Sequence, residues 1–224
     1  MNSPIIKCIS LSKYYISRNQ TTKAVDDVNL EINKNEFVLL KGRSGAGKST
    51  LISLMCGLDK PTHGNVTIEN ENIDNLSNQE ISKMLANNIG IIFQNFNLLP
   101  TYTVFENIEI ALEPGGNGRE KTKEIILPLL KQLELEDKIN FLPSELSVGQ
   151  QQKVAIARTL AKNPNIIFAD EPTGSIDDET AKEIVQHLLF LKNERNVTLI
   201  VSTHGNFLDN FADRIVVMEK GKII

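Results

Sequence analysis

The residues Gly42-Arg43-Ser44-Gly45-Ala46-Gly47-Lys48-Ser49-Thr50 match the phosphate-loop pattern G-x-x-x-x-G-K-[ST]. Gly42, Gly45 and Gly47 let the backbone curl until its N–H groups point inward and form an anion nest. A helix starting near Lys48 adds free N–H groups and the positive end of its dipole. Lys48 then reaches the β- and γ-phosphates of a nucleoside triphosphate, and the Ser49 hydroxyl can ligate Mg²⁺. Ser44, Ala46 and Thr50 belong to the same cradle. Such a loop must leave a strand and enter a helix. The flanks supply both, since Glu36 to Leu40 reads as a buried parallel strand and Leu51 to Cys56 as an apolar helix.

A second pair of groups with chemical potential is Asp170 and Glu171, directly after the apolar run Ile166 to Ala169. Carboxylates at the C-terminal tip of a parallel strand lie where an α/β fold opens its ligand crevice. Asp170 is placed to hold Mg²⁺, directly or through water. Glu171 is placed to orient or deprotonate the water that attacks the γ-phosphate.

The elements that must carry these groups follow from the apolar pattern. Ile5 to Leu11, Val28 to Ile32 and Asn65 to Glu69 read as strands of an antiparallel unit, the last introduced by the turn Pro61-Thr62-His63-Gly64. Ile89 to Phe93 is a buried strand ending at Gln94. Pro114 to Gly118 breaks the chain, and Arg119 to Leu133 has helical spacing with Pro128 expected to kink or restart it. Gln150 to Lys162 and residues 180–193 are further helices, the latter with Ile184, Leu188 and Leu191 in line. Asn165 to Ala169, Val197 to Val201 and Ile215 to Met218 are strands. Strand–helix alternation predicts an α/β fold with a mostly parallel sheet. Residues 1–94 and 161–224 would form the core with its antiparallel β unit, and residues 95–160 a helical subdomain, all within one domain.

The chain has 224 residues, 41% of them apolar and 23% charged, with formal net charge −4. That balance argues against a surface built to hold a nucleic-acid backbone, so no nucleic-acid partner is expected. Cys8 and Cys56 sit inside apolar runs and read as small core residues rather than a disulfide. No basic segment followed by an apolar core opens the sequence, which predicts no secretory signal. No apolar run reaches the length of a membrane-spanning helix, and a membrane role would have to come through a partner.

Taken in order, the phosphate loop, Gln94, Leu146-Ser147-Val148-Gly149-Gln150, Asp170-Glu171-Pro172-Thr173, Ser175-Ile176-Asp177 and His204 resemble the ATP-binding subunits of ABC transporters. They correspond to that family's Walker A, Q-loop, signature, Walker B with catalytic glutamate, D-loop and switch histidine. The resemblance covers essentially the whole chain. Ile92 to Pro100, Glu106-Asn107 and Ala169 to Gly174 look like the LolD/MacB/FtsE branch, which serves lipoprotein release, macrolide or peptide export, and cell division.

The resemblance implies ATP and Mg²⁺ as ligands. It implies a head-to-tail homodimer in which Ser147, Gly149 and Gln150 close over the nucleotide on the other copy, with Asp177 communicating across the interface. Glu171, His204, Gln94 and Lys48 would be catalytic, and Ser49, Gln94 and Asp170 would hold the metal. Tyr15, with Tyr14 as competitor, resembles the aromatic that stacks on adenine. His63 and His187 read as structural. Val148 stands where the family usually has glycine, and Gly205 where it often has an acidic residue. A membrane permease would dock near the loop Phe96 to Tyr102, leaving the chain cytoplasmic and peripheral on the inner face of the membrane. The rival readings are a soluble ABC ATPase of DNA repair or translation, a division-associated ATPase, and a regulatory nucleotide binder without turnover.

Overall fold

The computed structural model describes residues 4–17, 20–113, 119–174, 176 and 178–224. The expected chain break at Pro114 to Gly118, the D-loop residues Ser175 and Asp177, and the side chain of Leu191 lie outside what is described.

The central element is a six-stranded sheet in the order β10-β9-β3-β8-β7-β6. It is built from β3 (Phe37–Lys41), β6 (Ile89–Ile92), β7 (Ile166–Asp170), β8 (Thr198–Thr203), β9 (Arg214–Glu219) and β10 (Lys222–Ile223). All neighbours are parallel except β10, which folds back on β9. The three middle strands are buried on both faces, which is why they read as continuous apolar runs. Their side chains alternate between two cores. Phe37, Leu39, Ile167, Ala169, Leu199 and Val201 face one side, and Val38, Leu40, Ile166, Phe168 and Ile200 the other.

The second core is closed by a four-stranded sheet, β2-β1-β4-β5, and by helix α1 (Lys48–Met55), which lies between the sheets with Leu51, Leu54 and Met55 buried. The small sheet comprises β1 (Ile6–Ser17), β2 (Gln20–Ile32), β4 (His63–Ile68) and β5 (Glu71–Asn72). Its first hairpin is far longer than the alternation of residues 28–32 foretold. Register shifts between Cys8 and Tyr14 interrupt the period of two, so the strands continue where the pattern is lost. His63 and Gly64, read as turn, already belong to β4.

The opposite core is closed by α3 (Val104–Glu109), α4 (Arg119–Gln132), α5 (Val148–Ala161) and α6 (Asp178–Arg195). Pro128 sits inside α4 without ending it, so the expected restart does not occur. Helix α2 (Asn78–Asn87) and α3 have no counterpart in the sequence reading, although Ser77 with Glu80 and Thr103 with Glu106 form complete capping boxes at their starts. Helix α5 starts at Val148, two residues earlier than expected, with Ser147 as its cap.

Candidate functional site

The phosphate loop connects the tip of β3 to the start of α1, and its conformation explains its glycines. Gly47 has φ 104°, and a Cβ there would lie 2.1 Å from the Ala24 carbonyl oxygen. Only glycine fits. That contact also brings β2 against the loop, so Thr22, Lys23 and Ala24 line the same groove, which sequence reasoning missed.

The groove has a volume of about 820 Å³ and gathers Tyr15, residues 43–50, Gln94, Glu171 and His204. Lys48 is 5% exposed. Its Nζ donates to the carbonyls of Gly42 (2.8 Å) and Arg43 (3.4 Å) and stands 3.4 Å from Glu171 Oε1. An arriving triphosphate would share this ammonium with the loop carbonyls and Glu171.

Glu171 follows β7 with φ 47°, a left-handed conformation that costs a non-glycine residue about 1–2 kcal/mol. Its N–H donates to the hydroxyl (3.0 Å) and the carbonyl (3.1 Å) of Ser202 on β8, and its Oε2 lies 3.0 Å from His204 Nδ1. The turn sends the carboxylate between Lys48 and His204. Parallel pairing of β7 with β8 sets Asp170 beside Ser202, and the Ser202 hydroxyl donates to Asp170 Oδ1. Ser202 thus positions both carboxylates. No sequence signal marks it, because its role depends on which strand lies beside β7.

Asp170 stands one step behind the groove wall, whereas Gln94 is exposed on it. Ser49, Gln94 and Asp170 offer only oxygen donors, the set a magnesium ion prefers. Among the described residues no cluster of three or more His, Cys, Asp or Glu could hold a metal by itself. The donor set therefore suits an ion whose remaining ligands are phosphate oxygens and water.

Tyr15, not Tyr14, lies on the groove. Its hydroxyl donates to Asp59 (3.0 Å), and burial together with this carboxylate raises its pKa. Tyr14 points elsewhere, its hydroxyl bonding Asp26 at 2.7 Å and its ring meeting His63 edge-on. His187 is half-buried, and burial with the nearby Lys153 lowers its pKa, in keeping with a structural role.

Ser147, Gly149 and Gln150 are absent from the lining of this groove. Ser147 Oγ accepts from Gln150 N (3.2 Å), and Gln150 Oε1 accepts from Ser147 N (3.0 Å). A Cβ on Gly149 would lie 2.8 Å from Thr180 Cγ2, so this glycine also lets α5 pack on the start of α6. Val148 is the first residue of the helix and not among the residues with positive φ, so valine fits there without strain. Cys8 and Cys56 are buried, and burial pushes both thiols up to about 12.

A strand–loop–helix phosphate cradle, with two carboxylates at the tip of another strand of the same sheet, defines a nucleoside-triphosphate hydrolase. A family model described as ABC transporter matches residues 25–174. The chain is 41% identical over 223 residues to the uncharacterized ABC transporter ATP-binding protein MJ0796 of Methanocaldococcus jannaschii, covering 98% of this chain and 95% of that one. A solved dimeric structure of MJ0796, in a post-hydrolysis state bound to ADP and Pi, matches with a TM-score of 0.93 over 97% of this chain and 96% of that chain, at 40% identity. The methionine import ATP-binding protein MetN 2 of Bacillus cereus is 43% identical over 216 residues, 96% of this chain but only 63% of that longer relative. The structure of cbiO1 from Clostridium perfringens, described as part of the ABC transporter complex cbiONQ, matches with a TM-score of 0.85 at 28% identity, over 100% of this chain and 88% of that chain. The chain belongs to the ABC transporter family, as an ATP-binding subunit, and it is an ATPase that uses ATP with Mg²⁺.

Proposed function

We propose that the chain works as a head-to-tail homodimer that encloses two ATP molecules and drives a membrane partner in export or extraction. The observation that carries this reading is the separation of two anion-binding features. The groove holds Lys48, Glu171 and His204, while the Ser147 end of α5 is absent from its lining. A second copy can bring the two together through an isologous interface. The dimeric MJ0796 structure supports the arrangement.

Within each groove the phosphate loop and Lys48 would hold the β- and γ-phosphates, and Tyr15 would lie against the adenine. Ser49, Gln94 and Asp170 would hold Mg²⁺, which when bound neutralises charge on the phosphate oxygens. Glu171 accepts a proton from the attacking water, and His204 fixes the carboxylate at 3.0 Å while facing the γ-phosphate position. Glu171→Gln should retain ATP, lower turnover about 10²-fold or more, and accumulate a dimer. Size-exclusion chromatography with ATP decides this, and a monomer alone would sink the sandwich.

The permease side is supported by an apolar groove of about 470 Å³ bordered by Leu58, Leu85, Ile91, Phe93 and Ile110. In the neighbouring loop Leu99 and Tyr102 are exposed, whereas Leu98 packs against the helical core. A helix of a membrane protein seated there would keep the chain peripheral on the cytoplasmic face, and residues 95–160 would transmit its movement. Among the described residues no helix is long and apolar enough to cross a membrane itself. Import is the second reading, favoured by the similarity to MetN 2. The membrane protein that copurifies with the chain discriminates them, because a large extracytoplasmic domain supports export, extraction or the division-associated role.

A further inference from the structure

Several side chains on helix α5, and Lys162 at its C-cap, hold backbone carbonyls elsewhere. Gln152 Nε2 donates to Pro172 at 2.8 Å, and Thr159 Oγ1 to Ile91 at 3.1 Å. Lys162 Nζ donates to Leu85 and Ile89, both at 2.8 Å. Arg158 is the one that reaches the loop after Gln94, with Nη2 on the Phe96 carbonyl and Nη1 on that of Asn97, both at 2.6 Å.

That loop needs an external hold. Phe96 and Asn97 have φ of 58° and 49°. Two consecutive non-glycine residues in the left-handed region cost about 1–2 kcal/mol each and persist only when their surroundings over-determine them. The loop's own bonds are Phe96 N to Phe93 O (3.2 Å) and Asn97 N to Asn95 O (2.6 Å), which leave the carbonyls of 96 and 97 to Arg158. A planar guanidinium giving one N–H to each of two adjacent carbonyls is short, charge-assisted and directional. Gln94 lies on the ATP groove only two residues before this clamp. Ser147 caps the same helix, about 16 Å from Arg158 at 1.5 Å per residue.

We propose that Arg158 is a positioning residue for ATP hydrolysis, fixing the loop at residues 96–97 so that Gln94 faces the groove and tying that loop to the helix whose far end meets the second copy. A displacement of Gln94 by bound nucleotide is then carried along α5 to Ser147 as one rigid body. The inference rests on the proposed dimer and on Gln94 contacting the nucleotide.

The test uses Arg158→Met, which keeps the aliphatic length and removes both bonds, and Arg158→Lys, which restores a charged donor without the planar fork. Both are built in the full chain, alone and together with Glu171→Gln. Arg158→Met should leave ATP affinity of the single chain within about twofold, because the phosphate loop is untouched. It should raise the ATP concentration for half-maximal dimerisation, and lower kcat, by about tenfold each, with Arg158→Lys intermediate. A purely structural role would lower thermal stability or the folded fraction but leave the dimerisation midpoint of the folded protein at the parent value, and that result overturns the proposal. So does parental turnover in Arg158→Met. If Glu171→Gln itself stays monomeric with ATP, the dimer reading has failed first and this inference falls with it.

Discussion

The groove at the phosphate loop and the Ser147 end of α5 both present helix N-termini, yet they are built on opposite plans. In the groove, polar groups from six separate segments converge on one volume, and Lys48 and Glu171 face each other at 3.4 Å. At Ser147 the polar groups satisfy one another within four residues, and among the described residues the Ser147 and Gln150 side chains make no other hydrogen bond. The first is a pocket by itself, whereas the second gains a role only against another molecule. The same capping box opens α2 and α3, but there the third helical residue is Glu80 or Glu106, whose carboxyl is kept below the usual range by its bonds to the cap. At α5 that residue is Gln150, which makes the reciprocal bond with no charge. A neutral box leaves the positive end of the helix open to an anion, while an acidic one fills it.

The largest test of this contrast is Lys48→Ala. Removing the buried ammonium should weaken ATP binding by about two orders of magnitude, read by calorimetry, and unchanged affinity would mean that the groove is not the phosphate site. Gln150→Glu is sharper. It preserves the box geometry, so thermal stability should stay within about 0.5 kcal/mol of the parent. ATP binding to the single chain should be unaltered, while ATP-dependent dimerisation in the Glu171→Gln background should weaken about tenfold or more as the new charge meets phosphate. Equal dimerisation would show that the Ser147 end does not face an anion.

The smallest effect concerns where α5 is anchored. Burial, with Arg158 nearby, pushes the Lys162 ammonium down to about 8 from its usual 10.5. Between those values the unfolded chain binds a proton that the folded chain does not, so stability should rise with pH from about 8 to 10.5 and level off on either side. Denaturant titrations across that range should show the rise in the parent and a flatter profile in Lys162→Met. A parent profile as flat as that of the variant would mean the C-terminal end of α5 is not held in the core.

The phosphate loop was legible because its nine residues are contiguous and its chemistry is carried by backbone and neighbours in sequence. Asp170 was legible because carboxylates directly after an apolar run mark a strand reaching a crevice, whereas His204, three residues beyond Val201, was singled out only by its resemblance to the family's switch histidine. What the sequence could not display was lateral. Ser202 matters because β8 pairs beside β7, and Thr22 to Ala24 matter because Gly47 permits β2 to touch the loop. Tyr15 and Tyr14 are neighbours in the chain, and only the folding of β1 decides which enters the groove. Helices α2 and α3 were missed for another reason. Their apolar stripes are short, but Ser77-x-x-Glu80 and Thr103-x-x-Glu106 were written in the sequence and would have marked their starts. Gly149 was read only as a site for close approach of phosphate, while its contact with Thr180 shows a demand from the chain's own packing.

The carbonyl of Ala24 occupies the space that a side chain at position 47 would need. Hairpin and loop are thereby fitted as a matched pair, and neither can shift while the other stays in place. Whatever the loop grips must in turn brace the hairpin against opening. Amide exchange at the Thr22–Ala24 end of β2 would then slow when nucleotide is added.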